Sequence, residues 1–178
     1  ESRRIQDIID RMLRLSALEN RRQLQETKTV DITKLLAGVI EEMQPIFSEK
    51  RLDVQLADTA SANITCEPFL IRQAVSNLLQ NAADFSRDGG NILVSTRMEQ
   101  EFFTITVLDD GFGIPEYARD KVFDRFYSLQ RPDTGKKSSG LGLAFVKEVA
   151  ALHGGRVIVE NRPEGGVKAT LSISIRIA

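Results

Sequence analysis

Two asparagines spaced four residues apart, Asn77 and Asn81, are the first residues whose types and spacing could do chemistry. That spacing puts both amides on one face of a helix, beside the apolar residues Leu78 and Leu79. Asparagine is a poor residue for a helix interior, so two on one face need an explanation. Amide oxygens suit a hard cation such as Mg²⁺, which keeps several waters and takes few protein ligands. The pair therefore indicates either a magnesium site or two solvated amides.

A carboxylate and two glycines follow a stretch of apolar residues. Asp109 stands at the end of a predicted strand, and Gly111 and Gly113 come directly after it. A carboxylate there can accept a hydrogen bond from an exocyclic amine, and the glycines would let the backbone approach a flat ligand closely. The same pattern is also typical of an ordinary turn at the end of a strand.

A second glycine cluster, Ser138–Leu143, opens a predicted helix. Gly140 and Gly142 would leave N–H groups free at the helix N-terminus, where an anion such as phosphate can bind, although many helix caps use glycine without any ligand. Between the two clusters, residues 127–139 are polar and rich in Ser, Lys, Gly and Pro. A stretch of about 13 residues without secondary structure is typically functional or mobile, so we interpret residues 127–139 as a lid.

The elements that must position these residues are short helices and strands. Asp31 is a predicted N-cap, Pro45 predicts a kink or an early stop, and Pro68 stands where the first turn of a helix tolerates proline. Strands are predicted at 51–57, 62–65, 91–98, 102–108, 156–161 and 167–176, and helices from Asp31, from Pro68, after Pro115 and over 140–152. Strands grouped in hairpins with interspersed helices predict an α+β layered fold, not a doubly wound parallel sheet.

Residues 1–25 contain neither Gly nor Pro and predict one helix. Its apolar residues recur at heptad spacing, which is typical of a helix packed on other helices. These residues are Ile5, Ile8, Ile9, Met12, Leu13, Leu15 and Leu18. We interpret the segment as one half of a helical hairpin, with packing inside a single domain as the alternative.

The composition is that of an ordinary folded domain, with 178 residues, a net charge of −1, 28% charged residues and 42% hydrophobic residues. No apolar run approaches the roughly 20 residues that span a bilayer. The near-zero net charge gives no electrostatic reason to expect nucleic acid as a partner. Cys66 is the one cysteine, which excludes an internal disulfide, and a single His beside it argues against a dedicated zinc site. The chain starts without an initiator Met or a signal peptide, so we expect a piece of a longer protein.

In this order, the motifs resemble four sequence boxes of the histidine kinase ATP-binding domain, which belongs to a wider family shared with gyrase B, Hsp90 and MutL. The matching motifs are Asn77-x-x-x-Asn81-Ala82, Asp109-x-Gly111-x-Gly113, Phe123-x-x-Phe126 and Gly140-x-Gly142. The resemblance covers about residues 30–175. It implies a two-layer α/β sandwich in which helices cover a mixed, mostly antiparallel sheet, the Bergerat-type ATP-binding fold. Residues 1–26 are similar to the second helix of the kinase dimerisation hairpin, which leaves 27–178 as the catalytic domain.

The resemblance implies a role for each matching residue. Asp109 would bind the adenine amino group, Asn81 would hold Mg²⁺ on the phosphates of ATP, and Asn77 would support that site, so the two asparagines are the implied catalytic residues. The glycines implied to shape the pocket and its lid are Gly111, Gly113, Gly140 and Gly142. The residues implied near the phosphates through their backbone are Ser139, Leu141 and Leu143. The side chains of Arg125, Arg131, Lys136 and Lys137 are candidates for phosphate contact, with ordinary solvated loop residues as the alternative.

Position 77 favours a kinase over a hydrolase of this family. The ATP-hydrolysing members carry a water-activating glutamate four residues before the magnesium asparagine, and this chain has Asn77 there. The resemblance therefore implies the catalytic part of a bacterial sensor histidine kinase. The γ-phosphate of MgATP would pass to a histidine on a preceding hairpin helix and then to an aspartate of a response regulator. A homodimer formed through the hairpin and a cytoplasmic location within an inner-membrane protein are also implied. A nucleotide-sensing module without phosphotransfer and a hydrolysing ATPase are the alternatives.

Some positions depart from the kinase pattern. Asp84 stands where many kinases carry a basic residue, and it would repel phosphates unless Mg²⁺ or a nearby arginine offsets it. Ser138 and Ser128 replace a glycine and an arginine that are common in the family. His153 follows the last predicted helix beside two glycines, so we interpret it as a helix-terminal residue and not as the phosphoacceptor.

Overall fold

The computed structural model describes residues 2–57 and 61–176, which form five α-helices, seven β-strands and one 3₁₀ turn at Glu116–Lys121. The helices are α1 (Ser2–Glu19), α2 (Ile32–Glu42), α3 (Gln44–Glu49), α4 (Pro68–Phe85) and α5 (Gly142–Leu152). The strands are β1 (Lys28–Asp31), β2 (Asp53–Leu56), β3 (Asn63–Cys66), β4 (Asn91–Glu99), β5 (Phe102–Asp109), β6 (Arg156–Asn161) and β7 (Val167–Ser174).

A five-stranded sheet in the order β2-β4-β5-β7-β6 forms one layer. The β2–β4 pair is parallel and the other three pairs are antiparallel. β1 and β3 pair antiparallel as a separate two-stranded sheet. Alternate residues of β5 and β7, such as Ile105 and Leu171, are buried under the helices. The α+β sandwich expected from the sequence is therefore confirmed.

Local sequence signals explain several helix boundaries. The carboxylate of Asp31 accepts hydrogen bonds from the backbone N–H groups of Thr33 and Lys34 at 3.0 and 3.2 Å, which caps α2 as predicted. Met43 ends α2, and Pro45 lies in the first turn of α3, where its missing N–H is tolerated. Pro68 begins α4 for the same reason.

Two predicted boundaries were wrong. The helix predicted over residues 1–25 ends at Glu19, and the chain from Arg21 onward turns back toward α4. α5 begins at Gly142, two residues after its predicted start. The short helix predicted after Pro115 is present as a 3₁₀ helix. β1 was not predicted, because four residues with a single large apolar side chain carry too little hydrophobic periodicity.

Glu67, which is buried directly before α4, explains where α1 ends. Its carboxylate accepts hydrogen bonds from the guanidinium of Arg21 and from the backbone N–H of Gln25. Burial opposes ionisation of this group, but the hydrogen bonds outweigh burial, and the pKa of the carboxyl is lowered. The backbone N–H of Glu67 donates to His153 Nε2 at 3.1 Å, and His153 Nδ1 donates to the carbonyl of Val149 at 2.8 Å. His153 therefore lies at the end of α5, as predicted, and the structure also buries it.

The two ends of α1 differ in their surroundings. Leu15 and Leu18 are buried against the rest of the chain. Four large apolar side chains nearer its start remain between 45% and 60% exposed, namely Ile5, Ile9, Met12 and Leu13. The start of α1 thus presents an apolar face that no described residue covers.

Candidate functional site

A cavity of about 100 Å³ lies between α4, the end of β5 and the lid. Six of the residues predicted for the site line it: Asn81, Asp109, Gly113, Gly140, Gly142 and Leu143. Its walls are mostly apolar, with Leu78 and Phe85 from α4, Val107 from β5 and Ile114 from the loop after β5. An apolar pocket with a few convergent polar groups is the usual form of a small-molecule site.

The lid occupies much of this space. Tyr127, Ser128, Leu129 and Ser138 all line the cavity. Pockets that hold drug-sized ligands usually measure roughly 300–1,000 Å³. The cavity is smaller than that range, and the lid forms part of its wall.

Asp109 is 4% exposed and places its carboxylate at the wall of the cavity. Its Oδ1 accepts hydrogen bonds from the backbone N–H groups of Gly111 and Val167 at 2.9 and 3.2 Å. Among the described residues, Oδ2 has no hydrogen-bond donor. Burial raises the pKa of this carboxyl, although the two N–H groups act in the opposite direction. Oδ2 is thus an open acceptor at the wall of the cavity, available to a ligand that brings its own N–H donor.

Asn77 and Asn81 lie one turn apart on α4, but they do not share the cavity. Asn81 lines it, whereas Asn77 lies in an adjacent groove between α1 and α4. The side-chain oxygen of Asn77 is 3.6 Å from the position that a Cβ at Gly142 would take, so it lies directly beneath the start of α5. Neither amide makes a hydrogen bond to another described residue, which leaves both available to water, a cation or a ligand.

Gly140 joins the lid to α5 in a conformation that needs glycine. Its φ is +71°, and a Cβ there would lie 2.5 Å from the backbone carbon of Phe126. The backbone N–H of Phe126 donates to the carbonyl of Gly140 at 2.9 Å. The two ends of the lid are therefore fastened together by backbone contact at its base.

The remaining predicted site residues lie outside the cavity. Gly111 packs against the C-terminal end of α4, and Leu141 lines the groove that contains Asn77. Ser139 does not line the cavity, and the exposed Lys137 meets α1 through its carbonyl, which accepts a hydrogen bond from Arg4 at 3.4 Å. Arg125 pairs with Glu19 at the end of α1.

Two ion pairs that the sequence reasoning missed hold the lid on the body of the protein. Arg131 lies 2.9 Å from Asp84 on α4, and Asp133 lies 3.0 Å from Lys50, the residue that follows α3. Burial raises the pKa of Asp84, although Gln80, Arg131 and Lys50 act to lower it. The negative charge at position 84 is therefore met by cations from the lid and from the end of α3, not left to face the cavity alone.

The turn between β6 and β7 was also missed as part of the site. Arg162 donates to the backbone carbonyl of Asp109 at 2.6 Å, and Val167 donates to its carboxylate. Before the turn, Asn161 contacts the loop that follows β5. These contacts join residues that are distant in sequence, and no local motif signals them.

Residues 66–177 match the family of histidine kinase-, DNA gyrase B-, and HSP90-like ATPases. The chain belongs to this family. The match includes α4, the lid, α5 and every strand that borders the cavity.

Individual relatives within the family are sensor proteins. The sensor protein CreC of Escherichia coli is 44% identical over 173 residues, which are 97% of this chain and 36% of CreC. A sensor-like histidine kinase, SenX3 of Mycolicibacterium smegmatis, is 28% identical over 97% of this chain and 45% of its own length. The chain thus spans between a third and a half of these curated relatives.

Solved structures show the same fold. The ATP-binding domain of PrrB from Mycobacterium tuberculosis has a TM-score of 0.68 and 31% identity, over 86% of this chain and all of that chain. Full-length ShkA, solved in complex with AMPPNP, has a TM-score of 0.81 and 26% identity, over 97% of this chain and 36% of that chain. The resemblance to the ATP-binding domain of sensor histidine kinases is therefore confirmed.

Across residues 2–57 and 61–176, every helix is too short or too polar to cross a membrane.

Proposed function

We propose that this chain is the catalytic part of a two-component sensor histidine kinase and that its cavity binds MgATP. The buried carboxylate of Asp109 carries the proposal, because it lies at the wall of a mostly apolar cavity and its Oδ2 has no donor among the described residues. An exocyclic amine would satisfy this acceptor, and a base without such a donor would leave it unpaired. Full-length ShkA, which contains the same fold, was solved in complex with AMPPNP, and this supports nucleotide binding in general.

The metal would be held at Asn81. Its amide lines the cavity and has no hydrogen-bond partner among the described residues, which suits a cation that prefers oxygen ligands. Mg²⁺ bound there would neutralise charge on the phosphates of ATP. Asn77 would orient water or phosphate from beneath Gly142, and the start of α5 would offer its N–H groups to the same phosphates.

The transfer step would need little chemistry from this chain beyond positioning and charge neutralisation. Asn77 stands where the hydrolysing members of the family carry glutamate, so no general base for water is present at that position. The acceptor would be a histidine on a helix that precedes α1 in the parent protein. From there the phosphoryl group would pass to an aspartate of a response regulator.

The exposed apolar face of α1 supports the dimer part of this proposal. Ile5, Ile9, Met12 and Leu13 would be covered by a preceding helix and by a second copy of the hairpin. Residues 1–26 would then belong to the dimerisation hairpin and residues 27–178 to the catalytic domain. The parent protein would be an inner-membrane sensor with this part in the cytoplasm.

A calorimetric titration with AMPPNP, with and without Mg²⁺, tests the proposal. We expect one site per chain, tighter binding with Mg²⁺, and a loss of that Mg²⁺ effect in Asn81→Ala. Asn63→Ala is a matched control, because Asn63 is an exposed asparagine on β3, away from the cavity. A folded chain that binds no AMPPNP would contradict the proposal.

Phosphotransfer needs its own experiment. The chain and a separately produced hairpin with its histidine, incubated with ATP and Mg²⁺, should yield acid-labile phosphate on the hairpin. Nucleotide binding without any phosphohistidine, in a parent protein that contains both parts, would instead favour a nucleotide-sensing module. Steady phosphate release that persists in Asn77→Ala would favour a hydrolysing ATPase.

A further inference from the structure

The backbone of Ile114, in the wall of the cavity, is paired with a side chain that lies outside the four sequence boxes. Oδ1 of Asn161 accepts a hydrogen bond from the Ile114 N–H at 2.7 Å, and its Nδ2 donates to the Ile114 carbonyl at 2.8 Å. The amide thus replaces the two hydrogen bonds that a neighbouring strand would make with this residue. Both backbone groups of Ile114 are satisfied by one asparagine.

The same amide helps to determine the residue type at position 113. Gly113 has a φ of +76°, and a Cβ there would lie 3.2 Å from Oδ1 of Asn161. A side chain would therefore be strained by its backbone conformation and crowded by the amide. Gly113 and Ile114 both line the cavity, so Asn161 fixes the position of this part of the wall.

The hairpin that carries Asn161 also holds Asp109. Asn161 and Val167 form the last pair of the β6–β7 ladder, on opposite strands. Val167 donates its N–H to Oδ1 of Asp109, and Arg162 donates to the carbonyl of Asp109. The end of the β6–β7 hairpin thus fixes the position of the Asp109 carboxylate, which would bind the base. It also fixes the wall against which the base would lie.

We propose that Asn161 is a positioning residue of the base subsite, which holds Gly113 and Ile114 in register with Asp109 and so contributes to the selection of adenine over other bases. The inference deepens the proposed function and rests on it, because it assumes that the cavity takes a nucleotide base. Asn161 itself does not line the cavity. It acts through the backbone of Ile114.

The test compares Asn161→Ala with the unaltered chain in titrations with AMPPNP and with a non-hydrolysable GTP analogue, both with Mg²⁺. Loss of two hydrogen bonds behind the wall should weaken AMPPNP binding by roughly 5- to 50-fold. The preference for AMPPNP over the GTP analogue should fall as well, because the wall would lose its register with Asp109, whose carboxylate would accept from the amino group of adenine. Glu160→Gln is the control: it changes the exposed neighbour of Asn161 on β6 and should leave both affinities within about twofold, as expected for a surface substitution.

A merely structural role would give a different result. If Asn161 only stabilises the fold, Asn161→Ala should bind with fewer active sites per chain but with unchanged affinity and base preference, and that result would overturn the proposal. If Asn161→Ala does not fold, Asn161→Asp decides, because it keeps the acceptor for the Ile114 N–H and removes the donor to the Ile114 carbonyl. Asn161→Asp should bind AMPPNP roughly 3- to 10-fold more weakly, and unchanged affinity in the folded variant would also overturn the proposal.

Failure of the proposed function can be told apart from failure of this inference. If the unaltered chain binds neither nucleotide, both are wrong. If the unaltered chain binds AMPPNP and the two Asn161 variants bind it equally well, the nucleotide site stands and only the role of Asn161 is wrong.

Discussion

The guanidinium of Arg131 in the lid lies 2.9 Å from the carboxylate of Asp84, three residues beyond Asn81 on α4. Kinases of this family often carry a basic residue where this chain has Asp84. An acidic residue there would repel phosphates, but the lid supplies a cation to it and Lys50 adds a second. Asp84 on α4 is thus an acidic residue in place of a basic one, and Arg131 on the lid compensates its charge.

We expect Arg131→Gln to destabilise the chain, because it leaves the buried carboxylate of Asp84 without its nearest cation. Arg131 is about one third exposed, so we discount the cost expected for a fully buried pair to roughly 1 kcal/mol. The measurement is the free energy of unfolding in urea at pH 7. Asp84→Asn combined with Arg131→Gln should recover most of the loss, since both charges are then absent. A double variant as unstable as the sum of the two single variants would show that the pair contributes nothing.

Asp109→Ala should weaken binding of AMPPNP, because the amino group of adenine would lose its buried acceptor. A buried polar group left without a partner costs roughly 1–3 kcal/mol, which corresponds to about a 5- to 150-fold loss of affinity. Titration calorimetry measures the change. Asp88→Asn, an exposed carboxylate that pairs with Arg51, removes the same charge away from the cavity and should bind normally. Equal affinity of Asp109→Ala and the unaltered chain would refute the assignment of Asp109 to the base.

Gly140→Ala should loosen the base of the lid more than Gly135→Ala does. Both glycines have positive φ, +71° and +64°, so both substitutions carry a strain of roughly 1–2 kcal/mol. A Cβ at Gly140 would also lie 2.5 Å from the backbone of Phe126, whereas one at Gly135 would meet nothing within 4 Å. We therefore expect faster amide exchange in residues 127–139 and weaker nucleotide binding for Gly140→Ala alone. Identical behaviour of the two variants would show that the contact with Phe126 does not fasten the lid.

Stability should fall as the pH drops through the range in which His153 would titrate in the unfolded chain. Burial lowers the pKa of His153 below its ordinary value of 6.5, and the nearby Arg21 acts in the same direction, while Glu67 acts against it. The unfolded chain therefore binds a proton more readily than the folded chain between the two pKa values, so acidification favours unfolding there. The contribution is fully present above pH 6.5 and is lost progressively below it.

The measurement is the free energy of unfolding in urea at pH 7.5 and pH 5.5, for the unaltered chain and for His153→Gln. Asp84 and Asp109, whose pKa values are raised by burial, contribute equally to both proteins and cancel in the comparison. The unaltered chain should lose more stability on acidification than His153→Gln. Parallel losses would show that His153 is not the group that titrates.

The sequence predicted those helix starts that depend only on interactions between residues close together in the chain. Asp31 caps α2 through its own side chain, and Pro68 begins α4, because capping and proline geometry depend on neighbours within a few residues. Most strands came from apolar alternation. The end of α1 was predicted too late, since it depends on the distant Glu67, which draws Arg21 out of the helix.

The candidate site divides in the same way. The order of the sequence motifs predicted that Asn81 and Asp109 belong to one site, and both line the cavity. The pairs that complete it, such as Asp84 with Arg131 and Asn161 with Ile114, join residues that come close only after the sheet has formed. Their residue types are ordinary in loops, so nothing in the local sequence marks them.

Glu67 has a consequence for the segment between α1 and β1. Because Arg21 and Gln25 are both held by one buried carboxylate, this segment cannot sample space as a free tether does. With a flexible tether, the effective concentration of α1 at the cavity would depend on the length of the tether. With an anchored segment, that concentration depends on where the anchor holds the chain. Any group attached ahead of α1 would therefore move relative to α4 along a restricted path, and lengthening the segment beyond Gln25 would change that path less than releasing Arg21 would.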